Sequence, residues 1–254
     1  MHLFPPKKAP TMQPDKLWYL KKINFFRGLS DAEYDVIDHD SRSIFMKKRE
    51  LLFYHGTAQQ AVYFVKKGKI KLLRTSPEGR CLILDILGGG TLFGELELEH
   101  GADDEEVTAE AMEDTLLCMM RRENFNRLME LVPALSIRIT KLSGLRLKKI
   151  QNRLVDMLYC PIDVRLAKTL LALADEFGTA QPSGVLIDLR LTHNDLAALI
   201  ASTRETVSSA LNSFRKKGVI EYSGHHFIIS GRERLAMLAQ GHPEGCSALN
   251  TRQK

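Results

Sequence analysis

Residues 192–217, THNDLAALIASTRETVSSALNSFRKK, constrain the fold of this chain more than any other stretch. Leu196, Leu199 and Ile200 recur at helical spacing on one face, and Val207, Ala210, Leu211 and Phe214 do the same further on. Thr192 and Asp195 have capping-box spacing, which marks a helix start. Ala201-Ser202 leaves room only for a sharp turn. Two helices this short cannot cover both apolar faces by themselves, so they must cross each other and pack on a third element. That turns Arg204, Glu205, Ser208, Ser209 and Asn212 outward, all groups able to hydrogen-bond base edges in a major groove. The spacing predicts a helix-turn-helix; a helical hairpin with a merely solvated polar face is the alternative. Lys216-Lys217-Gly218 then closes the second helix with cations and a glycine. VIEYSGHHFIIS follows, two β-rich runs around Ser223-Gly224, which predicts a hairpin or wing.

Charge is distributed in the sense this stretch requires. Residues 134–254 hold 17 Lys and Arg against 10 Asp and Glu, a net of +7, whereas residues 1–133 hold 19 against 21, a net of −2. A basic C-terminal half is the electrostatic footprint of nucleic-acid binding. No apolar run approaches membrane-spanning length and no signal peptide is visible, so a cytoplasmic protein without membrane partners is expected. Cys81, Cys118, Cys160 and Cys246 are scattered without a C-x-x-C pair, which argues against a zinc or disulfide framework. No Ser/His/Asp set, Walker loop or metal-ligand cluster points to an enzyme, and no cofactor is expected.

Upstream, residues 1–16 carry Pro5, Pro6, Pro10 and Pro14 with Lys7 and Lys8, an arm-like composition. Residues 17–41 look helical and amphipathic, in two short pieces separated at Leu29-Ser30-Asp31, with Ser30-x-x-Glu33 as a start signal. Between Ile44 and Met120 short β-rich runs alternate with glycine turns: 62–65, 70–73, 81–87, 107–111 and 115–119. Gly68, the 76–79 turn and Gly88-Gly89-Gly90 fall between them. This predicts an antiparallel barrel or jelly roll. Residues 122–131 form a short helix punctuated by Pro133. Residues 134–159 then run without proline, with Leu135, Ile139, Leu142, Leu147, Ile150, Leu154 and Met157 along a coiled-coil-like seam. Arg146, Lys148, Lys149 and Arg153 fall on the other side. The helix either pairs with a second copy or lies on its own domain; its length and cationic back favour the pair. Cys160-Pro161 ends it. Residues 163–177 are a helix with Leu166, Leu170, Leu171 and Leu173 inward, 178–184 a loop, 185–191 a strand and 231–240 a last helix. The domains expected are an arm (1–16), a β-roll sensor (17–133), a dimerisation helix (134–159), a winged helix-turn-helix (160–235) and a tail (236–254).

This order of β-roll, long helix, hinge, helix-turn-helix and wing resembles the cAMP receptor protein/FNR transcription regulators, over roughly residues 20–235. The most specific pieces are Phe93-Gly94-Glu95-Leu96 after a glycine turn, Pro133 before the long helix, and Ser202-Thr203-Arg204-Glu205-Thr206-Val207. The resemblance implies an α+β chain with a double-stranded β-helix (jelly-roll, cyclic-nucleotide-binding-like) sensor. It also implies a homodimer seamed through Leu142, Leu147, Ile150, Leu154 and Met157. Its partners would be double-stranded DNA, RNA polymerase and a small-molecule effector. Arg204 and Glu205 match the family's base-reading pair, and Ser209 stands where the cAMP regulator has a second reading arginine, which puts one base of a TGTGA-type half-site in doubt. His193, Thr203, Thr206 and His225 match phosphate-contacting positions, with Ser208, Lys216 and Lys217 beside them. Glu205 has a second reading, as the partner of Ser202 in a capping box.

The implied effector pocket comprises Glu95, Glu105, Glu106, Ile150 and Gln151. Cyclic-nucleotide binders hold the phosphate with an Arg-Ser pair where this chain has Glu105 and Glu106, so cAMP is not the expected effector. The iron–sulfur members need an N-terminal cysteine cluster that is missing here, and haem-binding members use a Cys and a His where this chain has residues 94–96. His55, His100 and Cys81 keep haem open as an alternative. Seven carboxylates in residues 94–106 (Glu95, Glu97, Glu99, Asp103, Asp104, Glu105 and Glu106) make a solvated loop or, as a second reading, a divalent-cation or amine site.

Overall fold

The computed structural model describes residues 24–53, 61–76, 78–94, 107–223 and 226–241. They fall into two compact units, the first holding the described residues up to Gly79 and Leu84–Lys141, the second Arg80–Ile83 and the described residues from Leu142 on.

In the first unit a 3-10 turn, Asn24–Phe26, precedes α1 (Asp31–His39). Ser30 caps α1 as its sequence predicts: its Oγ accepts from the Glu33 amide, and Glu33 accepts from the Ser30 amide at 2.6 Å. Those bonds from Ser30 hold the Glu33 carboxyl below its ordinary pKa. The helix starts where the Ser30 signal places it and ends two residues before the 17–41 pattern does, because Ser41 already pairs with Met120 in the first strand and its hydroxyl donates to the Ile37 carbonyl. Residues 17–23 lie outside the described residues.

Eight strands follow: β1 (Ser41–Met46), β2 (Leu51–Phe53), β3 (Ala61–Lys67), β4 (Ile70–Thr75), β5 (Cys81–Leu87), β6 (Leu92–Gly94), β7 (Val107–Ala111) and β8 (Thr115–Arg121). They form two four-stranded sheets, ordered β1-β8-β3-β6 and β2-β7-β4-β5, with every recorded pairing antiparallel. Apart from β4 and β5, strands consecutive in sequence lie in different sheets, which is the jelly-roll arrangement. Their shared core holds Met46, Tyr63, Val65, Ile70, Leu87, Phe93, Leu117 and Met119. β3 is buried on both faces, so its sequence shows no alternation. Tyr63 stacks on Phe93 inside the roll, while Phe64, on the opposite face, meets Phe26 and Phe125. Gly94 sits at φ +112°, and a Cβ there would stand 2.5 Å from the Ala61 carbonyl oxygen. The glycine of the Phe93-Gly94 motif is therefore required by β6 closing on β3. Two helices end this region, α2 (Arg122–Leu131) and α3 (Pro133–Tyr159). Pro133 opens α3 as its first residue, where a missing amide proton costs no hydrogen bond.

In the second unit, which takes α3 from Leu142 onward, α4 (Ile162–Phe177) is the central helix, burying Val164, Leu166, Ala167, Leu170, Leu173 and Ala174. Leu171 is only half-buried. The 178–184 segment is not a loop: Gly178–Gln181 forms β9, paired with β10 (Gly184–Ile187), so only Pro182 and Ser183 remain for the turn. Pro, Ser and Gly signal the turn strongly enough to hide so short an edge strand. The expected 185–191 strand in turn stops at Ile187. Beyond it the amides of Leu189 and Leu191 bond the carbonyls two residues back, which keeps Leu189 and Leu191 buried in alternation after Ile187, the last residue of the strand. α5 (His193–Ile200), α6 (Arg204–Lys216), β11 (Ile220–Ser223), β12 (His226–Ile229) and α7 (Arg232–Gln240) complete the unit, with sheet order β11-β12-β10-β9. No helix among the described residues is long and apolar enough to cross a membrane.

Candidate nucleic-acid interface

The interface is set by how α5 and α6 start, turn and end. At α5, Thr192 Oγ1 accepts from the Asp195 amide at 3.1 Å, and the Asp195 carboxylate accepts from the Thr192 amide at 2.9 Å, completing the box the sequence signals. Leu196, Ala197, Leu199 and Ile200 are buried. Ala201 then turns the chain in the left-handed region, φ 50° and ψ 58°, with its amide bonded to the Ala197 carbonyl. The cap of α6 is Thr203, whose Oγ1 accepts from the Thr206 amide at 3.3 Å. This corrects the capping reading of Glu205: the helix starts one residue later than a Ser202 box requires, and Glu205 stands exposed in the first turn. A carboxylate there is favoured by the helix dipole and free to meet a partner.

Val207, Leu211 and Phe214 bury one face of α6; Ala210 is half-buried. Arg204, Glu205, Ser209 and Asn212 are exposed on the other. The helix ends at Gly218, φ +65°, where the Gly218 amide bonds the Arg215 carbonyl and the Val219 amide reaches Phe214 at 3.1 Å. That double bond pattern needs a left-handed residue, and buried Val219 and Phe214 supply its apolar contact. Lys216 and Lys217 are exposed at this end. The wing strands pair as Tyr222↔Phe227 and Ser223↔His226. The Arg215 guanidinium lies 5.8 Å from the Tyr222 ring centre, tying helix to wing, and burial pushes the Tyr222 hydroxyl above its ordinary pKa. No periodicity links Arg215 to Tyr222, because the Gly218 turn intervenes.

Two expected phosphate contacts, Thr203 and Thr206, are exposed with their hydroxyls 2.9 Å apart. Ser208 is not free on the outer face: it is half-buried, donates to the Arg204 carbonyl, and lies 2.7 Å from His193 Nδ1. Being four residues after Arg204, it folds back on its own helix and reaches α5. His225 lies outside the described residues.

Along α3, Leu147, Ile150 and Leu154 are more than half exposed, and so are Leu145, Val155, Leu158 and Tyr159, which the seam pattern omitted. Leu142 and Met157 are half-buried, at the margin of the exposed face. The cationic back is engaged within its unit: Arg153 donates to the Leu199 carbonyl at the end of α5, and Lys149 pairs with Glu176 at 3.3 Å. Of the expected effector pocket, Ile150 and Gln151 are exposed, while Glu95, Glu105 and Glu106 lie outside the described residues, as do His55 and His100. Cys81 is exposed, and no cluster of metal-ligating side chains occurs among the described residues.

A jelly roll in one unit and a winged helix-turn-helix in the other define a class of DNA-binding regulator. The Crp-like helix-turn-helix domain family matches residues 164–238, and the cyclic nucleotide-binding domain family matches residues 44–131. A cyclic AMP receptor protein of Thermus thermophilus is 32% identical over 79% of this chain and 89% of its own length. A CRP-like cAMP-activated global transcriptional regulator of Mycobacterium tuberculosis is 28% identical over 87% of this chain and 98% of its own. The fold matches that of a CooA mutant from Carboxydothermus hydrogenoformans, with a TM-score of 0.71, 24% identity, and coverage of 87% of this chain and 95% of that one. The chain belongs to the cAMP receptor protein/FNR family of transcription regulators, with a helix-turn-helix DNA-binding domain and a cyclic-nucleotide-binding-like domain.

Proposed function

We propose that the protein is a cytoplasmic homodimer, paired along residues 134–159, that reads an inverted repeat of TGTGA-like half-sites with two copies of α6 and works with RNA polymerase. The carrying observation is the outer face of α6: Arg204, Glu205 and Ser209 stand exposed on a helix whose other face is anchored by Val207, Leu211 and Phe214. Arg204 presents two donors to guanine O6 and N7, and Glu205 accepts from cytosine N4. Ser209, short and with one hydroxyl, relaxes the choice at the base where an arginine would demand guanine. His193, Thr203, Thr206, Ser208, Lys216, Lys217 and His225 border the phosphates or support the side chains that do. The recognition helices of such a dimer sit about 34 Å apart, one turn of DNA. Selection of bound sequences from a random pool tests this directly: an inverted repeat with that spacing is expected, and a direct repeat or a lone half-site would overturn it.

The effector of this dimer is something other than cAMP, or the protein needs none. Relatives carry cAMP in their names, but here Glu105 and Glu106 replace the Arg-Ser pair that holds a phosphate. A carboxylate about 5 Å from a phosphate costs roughly 3 kcal/mol at an effective dielectric of 20. That exceeds the ~1 kcal/mol net gain of a hydrogen bond to the sugar. Ile150 also offers no hydrogen bond to a base. Calorimetry with cAMP is expected to show no heat at millimolar ligand, and micromolar binding would refute this reading of the pocket.

A further inference from the structure

We propose that Ser208 positions His193 so that the ring must take up a proton to hold a DNA phosphate, which makes DNA binding by this protein proton-linked. The inference rests on the phosphate contact of His193 proposed above and adds the chemistry that controls it.

Ser208 Oγ lies 2.7 Å from the Arg204 carbonyl oxygen and 2.7 Å from His193 Nδ1. A hydroxyl has one proton to give, and a carbonyl can only accept. Both contacts are satisfied together only when Ser208 donates to Arg204 and His193 donates from Nδ1. The neutral ring is thereby fixed with its hydrogen on Nδ1 and a lone pair on Nε2. His193 is the first residue of α5, where free amides and the helix dipole favour an anion, and Nε2 has no hydrogen-bond partner among the described residues. A lone pair facing a phosphate oxygen repels it. With Nδ1 tied to Ser208, the ring becomes a donor at Nε2 only as imidazolium, so one proton passes from solvent to Nε2 as the complex forms.

At the first residue of α5 the helix dipole disfavours a cation until an anion is present, and the neighbouring charges are paired or balanced. Asp195, on the same helix, is engaged by Thr192. Arg204 and Glu205 lie in the first turn of α6 and offset each other in sign. On α4, which packs against α5, Asp175 is paired with Arg232 and Glu176 with Lys149. A proton held in the complex strengthens binding at low pH, and that gain is lost as pH rises through the pKa of the bound state.

Operator affinity measured from pH 6 to 8.5 at constant ionic strength, together with 15N NMR of the His193 ring in the free full-length protein, tests the inference. The wild type is expected to show the Nδ1–H form when neutral. Its affinity is expected to fall by up to about tenfold per pH unit for each protomer over the range between the free-state and the bound-state pKa, and to level off above it. His193→Gln keeps an amide donor that does not titrate, so its slope should be smaller than that of the wild type by the one proton that His193 takes up per protomer. Ser208→Ala frees the ring to donate from a neutral Nε2–H, so its slope should be shallower than that of the wild type. An Nε2–H form in the free wild type, or a wild-type slope that survives in His193→Gln, overturns the proposal. A flat wild-type profile with the Nδ1–H form present also overturns it, but by showing that the phosphate contact is absent.

Discussion

α3 and α6 each anchor one face and expose the other, and the exposed faces are chemical opposites. α6 buries Val207, Leu211 and Phe214 and presents Arg204, Glu205, Ser209 and Asn212 to solvent. From Leu142 on, α3 does the reverse: its cationic residues are engaged within the unit through Arg153 and Lys149, while Leu147, Ile150, Leu154 and Leu158 stand uncovered. A hydrogen-bonding face costs nothing in water and gains a partner only where donors and acceptors match. An apolar face costs free energy in proportion to its area until another apolar surface covers it. The difference separates two kinds of exposed surface: α6 presents hydrogen-bonding groups, and α3 presents an apolar face.

The most severe way to break the comparison is to make the two exposed faces alike. Leu147→Asp with Leu154→Asp is expected to abolish the dimer, because each seam would then set unpaired carboxylates against their twins. Sedimentation reads the mass, and an unchanged dimer would show that α3 serves only its own chain. The protomer fold should survive, since both side chains are exposed within it.

Next comes the buried side of α6. Phe214→Ala removes one of the largest fully buried side chains and should cost about 3–5 kcal/mol of stability. Thermal unfolding of the DNA-binding unit checks this. The loss must exceed that from any single exposed residue of α6 if anchoring and reading are divided between its faces.

Arg204→Ala tests the reading face with a smaller effect. It should lose discrimination for one guanine per half-site, worth about 1–3 kcal/mol, with stability unchanged. Competition binding against operators altered at that base decides it, and full retained preference would mean that another side chain reads the position.

The smallest effect is expected from Lys216→Ala, which should weaken all sequences alike and reduce the salt slope of binding by about one. A sequence-dependent loss would move Lys216 from the rim to the reading face.

Local patterns were legible wherever one covalent neighbourhood carried the whole signal. The Thr192 box, the Ser30 box, the Gly218 stop and the strands at 81–87 and 107–111 need only neighbouring residues, and the structure places them where the spacing does. The readings that failed depended on a partner remote in sequence or on a one-residue shift. β9 exists because Ala180 pairs with Val185 across a two-residue turn. Alternation at Ile187, Leu189 and Leu191 reports burial, and burial does not distinguish a strand from a chain of short turns. Ser202 and Thr203 are both good caps, and the bond to the Thr206 amide selects the second.

By itself the sequence determined the periodic elements, the basic C-terminal half and the outward set Arg204, Glu205 and Ser209, because helical spacing and charge are properties of neighbours along the chain. Tertiary structure alone decided that Ser208 belongs to His193 rather than to the outer face, that Arg153 reaches the end of α5, and that the apolar stripe of α3 is wider than its heptad pattern. These depend on which surfaces meet across long separations, and no local period encodes that.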